Sequence, residues 1–245
     1  MAAVIRLALA LMLLVVPAAA QTVLDEKRPE ITLKVTLARG LSAAPGLYAF
    51  LREEAEVTAA TYRDMAAEDA RAAREAGQRF RPYSMEISDE LRFLSPRYAS
   101  VLRRIAVHTG GAHGNLVLEA VTADRGTGRL IRLDELLGGP KGGRALKAIA
   151  GFLAREIARK AHGGKPDESW RAAIRAATAP DVAVLQNFTL ARSSLPDRIG
   201  GLAFHFAPYE VAPYATGPVE IVVPQALFHD GLKPGIAALF GGEPR

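Results

Sequence analysis

The sequence contains no cysteine among its 245 residues. This absence excludes a disulfide framework, a thiolate metal site, a cysteine nucleophile and a lipid anchor on cysteine. The chain also lacks a serine-hydrolase nucleophile elbow, an H-E-x-x-H helix, an EF-hand loop and a dinucleotide-binding glycine motif. Each of these motifs carries a specific chemistry, so their absence removes the most recognisable enzyme classes.

The composition is that of an ordinary globular protein, with 49% hydrophobic and 23% charged residues. The formal net charge is +5, and the basic residues are scattered along the chain rather than run together. Nucleic-acid partners are disfavoured because basic and aromatic residues do not cluster. The positive balance weakly favours an acidic partner or an anionic envelope surface.

The first twenty residues have the layout of a secretory signal peptide. A basic start at 1–6 precedes an uninterrupted apolar run at 7–16, and small residues follow at 17–20. The apolar run is shorter than the roughly 20 residues that a membrane span requires. We expect cleavage near Ala20 and a periplasmic or secreted protein without a membrane span, with an uncleaved N-terminal anchor as the alternative.

The remaining chain predicts an α+β fold. Residues 21–29 read as a loose polar arm, and strict alternation of apolar residues at 31–37 indicates a half-buried strand. A long helical pattern covers 45–77, and period-two patterns joined by short loops fill 80–122 as an antiparallel meander. Two further helices and a second group of strands follow. We therefore expect antiparallel sheets with one long N-terminal helix and two further helices packed on one face.

A glycine-rich run at 138–143 is the best candidate for a boundary within the chain. It reads as a linker into the second main helix and lacks the spacing of a phosphate-binding loop. The predicted organisation is a signal peptide at 1–20, an N-terminal half at 28–137 and a C-terminal half at 138–240. We expect the two halves to pack as one unit.

One loop, 208–218, combines three prolines, two tyrosines and a carboxylate between two predicted strands. Proline fixes φ and removes the N–H, so this segment is expected to be a rigid, shaped loop at a sheet end. Tyr209, Glu210 and Tyr214 suit recognition there because little ordering entropy remains to be lost on binding. In the simpler interpretation the tyrosines pack the loop down and Glu210 is solvated or caps a backbone N–H.

A second loop, 109–115, is rich in glycine and joins two predicted strands. Gly110 and Gly111 give access to positive φ and allow backbone N–H groups to face outward. His113 and Asn115 are the candidate binding side chains of this loop. The alternative assigns His113 a hydrogen bond to a backbone carbonyl and Asn115 the turn position that closes the loop.

Two kinds of chemistry remain open at these loops. His108 and His113 with His205 or Glu210 would make a three-ligand metal site, but their spacing is not diagnostic. Glu210 and His113 would make a general acid/base pair if both lay in one cleft. The sequence assigns no catalytic residue, no metal ligand and no cofactor.

The two loops together resemble a known family. Thr109-Gly110-Gly111-Ala112-His113-Gly114-Asn115, followed by the segment 204–218 with its proline-tyrosine pattern, is similar to the extracytoplasmic region of RsiV anti-sigma factors and of PdaC-type peptidoglycan deacetylases. The resemblance runs from about 31 to 228, PdaC-like in the first half and RsiV-like in the second. Family members usually carry proline or a bulkier residue at the position of Gly114.

The resemblance implies an α+β envelope domain, and for RsiV itself it implies lysozyme binding. A sigma-binding segment, a transmembrane helix and a deacetylase domain are missing from this sequence, so those activities do not carry over. The leading hypothesis is a non-catalytic envelope module that binds a cell-wall ligand, either a muramidase-type protein or a peptidoglycan fragment. The alternatives are a peptidoglycan hydrolase using Glu210 and His113, and an accessory module that docks through the helix at 45–77, with Arg71, Arg74 and Arg79 exposed.

Overall fold

The computed structural model describes residues 21–245, so the predicted signal peptide lies outside the described residues. The strands are β1 (Gln21–Lys27), β2 (Ile31–Leu37), β3 (Tyr83–Leu94), β4 (Tyr98–His108), β5 (Asn115–Asp124), β6 (Phe188–Arg192), β7 (Ile199–Phe206) and β8 (Val219–Pro224). The α-helices are α1 (Pro45–Glu75), α2 (Leu133–Leu136), α3 (Gly139–His162), α4 (Glu168–Ala177) and α5 (Pro234–Ala237). The α+β prediction is confirmed, with one long N-terminal helix.

The strands form two sheets. The first has the order β1-β2-β3-β4-β5, and the second has the order β6-β7-β8. All neighbours are antiparallel except β2 and β3, which pair in parallel. The long helix α1 lies between these two strands in sequence, and such a crossover is what a parallel pair requires. The predicted antiparallel meander is therefore formed by β3 to β5. β2 pairs in parallel with β3, at the edge of that meander.

Two segments differ from their predicted roles. Residues 21–27 form the edge strand β1 and not a loose arm, because Leu24 pairs with Val35 and Arg63 makes a bidentate ion pair with Glu26. The glycine-rich run predicted as a linker forms the first turn of α3, where Pro140 supplies a φ suited to a helix start. The division into halves at 28–137 and 138–240 stays a prediction.

Each sheet has its own apolar core. Alternate residues of β2, from Ile31 to Leu37, pack beneath α1, which buries Leu47, Leu51 and small alanines on its sheet-facing side. The second core lies between α3 and the strands β6 to β8, and α4 packs against α3. Within residues 21–245, none of the helices combines the length and the apolar character needed to cross a membrane.

The two sheets meet over one half of the first sheet. Odd-numbered residues of β4, and of β3 as far as Leu91, face α1, and even-numbered residues there face away from it. A bulge after Leu91 turns Phe93 to the other face, where it joins the second core. At one end of this second face, Ser100 accepts the N–H of Leu190 from β6 at 3.1 Å, and Asn187 bonds the edge of β5. The second sheet therefore covers that end. The other end, around His108 and Ser84, stays open and forms the candidate site.

Candidate functional site

The two predicted loops meet. Tyr214 donates a hydrogen bond from its hydroxyl to the carbonyl of Gly114 at 3.2 Å. The ring of His113 lies 4.9 Å from that of Tyr214, and Tyr209 lies 5.4 Å from Tyr214, measured between ring centroids. We call His113, Tyr209 and Tyr214 the aromatic cluster. Tilted contacts at these distances are favourable for π systems, so the three rings form one surface.

We call the segment 208–218 the tyrosine loop. Its base is anchored, while its tip is exposed. Val211 and Ala212 are buried in the second core. His162, at the end of α3, donates from Nε2 to the carbonyl of Val211 at 2.9 Å. Tyr209 and Tyr214 remain 55% and 38% exposed. The two tyrosine rings are therefore exposed to solvent, while the backbone that carries them is fixed by its buried residues.

Tyr209 adopts φ of 70°, in the left-handed region that non-glycine residues rarely occupy. Such a conformation costs on the order of 1–3 kcal/mol and persists only where the surroundings impose it. Here the N–H of Tyr209 donates to the carbonyl of Ala212 at 3.1 Å, closing a tight turn. Strained residues of this kind cluster at ligand-binding positions. The ring is exposed at a cost in backbone energy, which simple packing of the loop does not explain.

Glu210 is placed differently from the tyrosines. Its carboxylate accepts the N–H of Ala207 at 2.8 Å, which is the capping role of the simpler interpretation. Removal of water from the carboxyl group raises its pKa, against the opposing effect of the Ala207 N–H. Among residues 21–245, no hydrogen bond joins Glu210 to His113. The acid/base pair that the sequence left open is therefore not assembled.

This pKa direction gives a testable pH dependence. A carboxyl group whose pKa is raised by folding contributes stability below its unfolded pKa, and this contribution is lost as the pH rises through the folded pKa. Glu210→Gln keeps an acceptor for Ala207 and removes the charge. We expect the variant to be slightly more stable than the wild type at pH 7 and indistinguishable from it at pH 3.5. Urea unfolding at both pH values measures this, and a variant that is less stable at pH 7 would contradict it.

We call the segment 109–115 the glycine loop. Hydrogen bonds to its backbone fix its shape. Gly110 has φ of 80°, its carbonyl accepts from Arg81 at 3.2 Å, and its N–H donates to Nδ1 of His108 at 3.2 Å. His113 bonds the carbonyl of Gly114 through Nδ1 at 2.9 Å, the simpler role considered for it. Gly111 is exposed beside these residues. The loop is thus held by Arg81 on one side and by the contacts with Tyr214 on the other.

A groove of about 490 Å³ adjoins the aromatic cluster on the open face of the first sheet. Its floor is made by outward-facing residues of β2, β3 and β4, and its wall by Tyr214, Gly114 and Asn115. We call this cavity the sheet groove. Its polar floor residues are Thr32, Lys34, Ser84, Glu86 and His108, and apolar residues, among them Ala106 and Leu116, lie beside them. A floor of mixed polar and apolar side chains beside an aromatic wall is a suitable surface for a polar ligand with an apolar side.

Most of the floor has no distinguishing mark in the sequence. Thr32, Lys34, Ser84 and Glu86 are the polar positions of strands whose alternation was recognised, so they were expected to face solvent. Their grouping depends on the parallel register of β2 and β3, in which Thr32 pairs with Ser84 and Lys34 with Glu86. That pairing is non-local and leaves no local signal in the sequence.

The metal alternative required His205 or Glu210 near His108 and His113. His205 is buried in the second sheet, where its Nε2 lies 2.9 Å from the hydroxyl of Thr189. Its Nδ1 faces Glu220 at 3.4 Å. In the part of the chain that the structure describes, no three histidine, aspartate or glutamate side chains form a group able to hold a metal ion.

Comparison with known proteins relates this fold to proteins of unknown function. Residues 140–226 match the model of a family described as protein of unknown function (DUF3298). A crystal structure of a DUF3298 family member from Bacteroides fragilis NCTC 9343 has a TM-score of 0.59 and 17% identity, covering 90% of this chain and 95% of that one. A DUF3298 family protein from Pseudomonas aeruginosa PAO1 has a TM-score of 0.55 and 16% identity, covering 92% and 95%.

No curated protein sequence matches the chain. Identities of 17% and 16% show a shared fold and carry no activity from those proteins to this one. The finer resemblance to RsiV and PdaC stays a prediction. Residues 140–226 match the DUF3298 model, and two solved DUF3298 proteins share the fold of this chain over nearly their whole length.

Proposed function

We propose that this protein is an exported, non-catalytic binding module and that the sheet groove, with the aromatic cluster at its rim, holds a fragment of peptidoglycan. The observation that carries the proposal is the convergence of three exposed rings beside a groove whose floor carries a group of polar side chains. The predicted signal peptide supports export, and the resemblance to envelope domains supports a ligand from the cell wall.

The chemistry of the groove suits a glycopeptide. A sugar ring has an apolar C–H face that packs on an aromatic side chain, and hydroxyl and amide groups that need hydrogen-bond partners. Tyrosine provides a large contact area with few rotatable bonds, so little entropy is lost on binding. The anchored base of the tyrosine loop lowers this cost further, because the loop is formed before the ligand arrives.

The geometry favours a fragment over a whole muramidase. A concave site of about 490 Å³ lies in the size range of small-ligand pockets, whereas protein partners bury broad surfaces. A cationic lysozyme would also meet a chain of net charge +5. Catalysis is not favoured, because the carboxylate of Glu210 is engaged by the backbone of its own loop.

Isothermal titration calorimetry with purified muropeptides tests the proposal. We expect binding to the wild type and a loss of about tenfold or more in affinity for Tyr214→Ala, since truncation of a tyrosine that anchors a ligand costs about 1.4 kcal/mol or more. Val57→Ala is the matched control, an exposed apolar residue on α1, which packs on the opposite face of the sheet.

Three results would count against this assignment. Absence of binding up to millimolar muropeptide would refute the proposed function. Equal affinities for wild type and Tyr214→Ala would show that the ligand binds at a site that does not include Tyr214. Binding of lysozymes without binding of muropeptides would replace the fragment with a protein ligand.

A further inference from the structure

Two adjacent rows of polar side chains cross the floor of the sheet groove. Thr32, Ser84 and His108 are register partners in one row. Lys34 and Glu86 are register partners in the next row, two residues further along their strands. Neighbouring strands lie about 4.8 Å apart, and two residues along a strand span about 6.6 Å. All five side chains therefore lie within reach of one small ligand.

The charged row is loosely paired. Nζ of Lys34 lies 3.8 Å from a carboxylate oxygen of Glu86, and the two side chains are 49% and 55% exposed. An ion pair of this kind contributes little to stability, about 0–1 kcal/mol. Within residues 21–245 neither group makes a hydrogen bond to another side chain. Breaking this ion pair therefore costs little free energy, and each side chain can pair with an opposite charge on a ligand instead.

The neutral row supplies donors beside the lysine. Nδ1 of His108 accepts the N–H of Gly110, so a neutral His108 carries its proton on Nε2. Nε2 has no partner among the described residues, and His108 lines the groove. The hydroxyls of Thr32 and Ser84 lie in the same row and can donate as well. Lys34 thus has neutral hydrogen-bond donors beside it.

This layout selects against ligands of a single charge. A simple anion drawn to Lys34 would meet the carboxylate of Glu86 on the neighbouring strand, and a simple cation drawn to Glu86 would meet Lys34. Opposite charges within about 5 Å favour a ligand that carries an ammonium and a carboxylate at the same short separation. An α-amino-acid head group, with both charges on one carbon, has this chemistry.

We infer that the floor of the sheet groove recognises the free amino-acid head of the diamino-acid residue in a peptidoglycan stem peptide. The ammonium binds Glu86, and the carboxylate binds Lys34 together with the hydroxyl row. This inference rests on the proposed function and names the part of the fragment that determines specificity. The sugar packs on the aromatic cluster.

The test compares two muropeptides that share a disaccharide and differ at the third stem residue. One carries meso-diaminopimelate, which has the free head, and the other carries lysine, which has the side-chain ammonium without the carboxylate. We expect the diaminopimelate form to bind at least about tenfold more tightly, the value of one well-placed charged contact. Lys34→Met should remove this preference and leave the lysine form unaffected. Glu86→Gln should weaken both forms.

Lys147→Met is the matched control, since it removes the same charge from an exposed position on α3. Equal affinities for the two muropeptides, or a preference that survives in Lys34→Met, would overturn the inference while the proposed function stands. Absence of binding to either muropeptide would overturn both. Thermal unfolding of each variant establishes that it is folded, and the exposed positions of Lys34 and Glu86 predict unchanged midpoints.

Discussion

Arg103→Ala is expected to destabilise the folded protein by about 4 kcal/mol, within the 3–5 kcal/mol range for breaking a buried ion pair. Arg103 makes two hydrogen bonds to the carboxylate of Asp89, at 2.8 and 2.9 Å. It donates a third to the carbonyl of Leu51 in α1. The side chains of Arg103 and Asp89 are 2% and 0% exposed. Removal of the guanidinium would leave the carboxylate buried without its partner.

Thermal or urea unfolding measures this effect, which corresponds to a fall in melting temperature of about 8–16 °C for a domain of this size. Arg104→Ala is the matched control, because Arg104 follows on the same strand and faces away from α1. The double variant Asp89→Leu with Arg103→Met should recover most of the loss, since replacing both charges avoids an unpaired one. A single variant as stable as the wild type would show that Asp89 finds another partner or a proton at no cost.

The same pair shows what the sequence pattern could not reveal. Val101, Ile105 and Val107 form an apolar face of β4, and Arg103 lies between them on that face. An arginine at such a position reads as a break in the apolar pattern. Its partner Asp89 lies in a polar run, Ser88-Asp89-Glu90, which interrupts the alternation of β3. Only the register of β3 and β4, which is non-local, makes the two residues a pair.

Local patterns predicted the elements well and their contacts poorly. The strand at 31–37 and the start of the long helix at Pro45 are confirmed. Beyond Leu51 the buried face of α1 is made of small residues such as Ala55 and Ala59. Alanine allows a helix to approach a sheet closely, but its small size gives a weak hydropathic signal.

For the candidate site, composition identified the rim and missed the floor. Prolines, glycines and tyrosines mark a loop by local rules, so His113, Tyr209 and Tyr214 were found from the sequence. The structure brings these three together and turns Glu210 back to its own backbone. The floor residues are ordinary outward-facing positions until β2 and β3 pair. A site formed across strands needs the topology before its residues can be grouped.

Asn187→Ala is expected to cost about 2–3 kcal/mol and to loosen the contact between the two sheets. The side-chain oxygen of Asn187 accepts the N–H of Ala120 at 2.7 Å, and its nitrogen donates to the carbonyls of Leu118 at 3.1 Å and His205 at 2.7 Å. One amide thus pairs three backbone groups from both sheets. Each group left unpaired costs about 1–3 kcal/mol when buried, and the partial exposure of this position reduces the total.

Hydrogen exchange of individual amides shows where in the fold Asn187→Ala acts and by how much. The amide of Ala120 should exchange faster in Asn187→Ala, whereas amides in the β2–β3 ladder should be unchanged because they depend on the first core. Asn115→Ala is the stability control, an exposed asparagine at the start of the same strand β5. Unchanged stability together with unchanged exchange at Ala120 would mean that apolar packing alone holds the second sheet over the first. In that case the hydrogen bonds of Asn187 would not determine where the second sheet ends over the first, and the sheet groove would form without them.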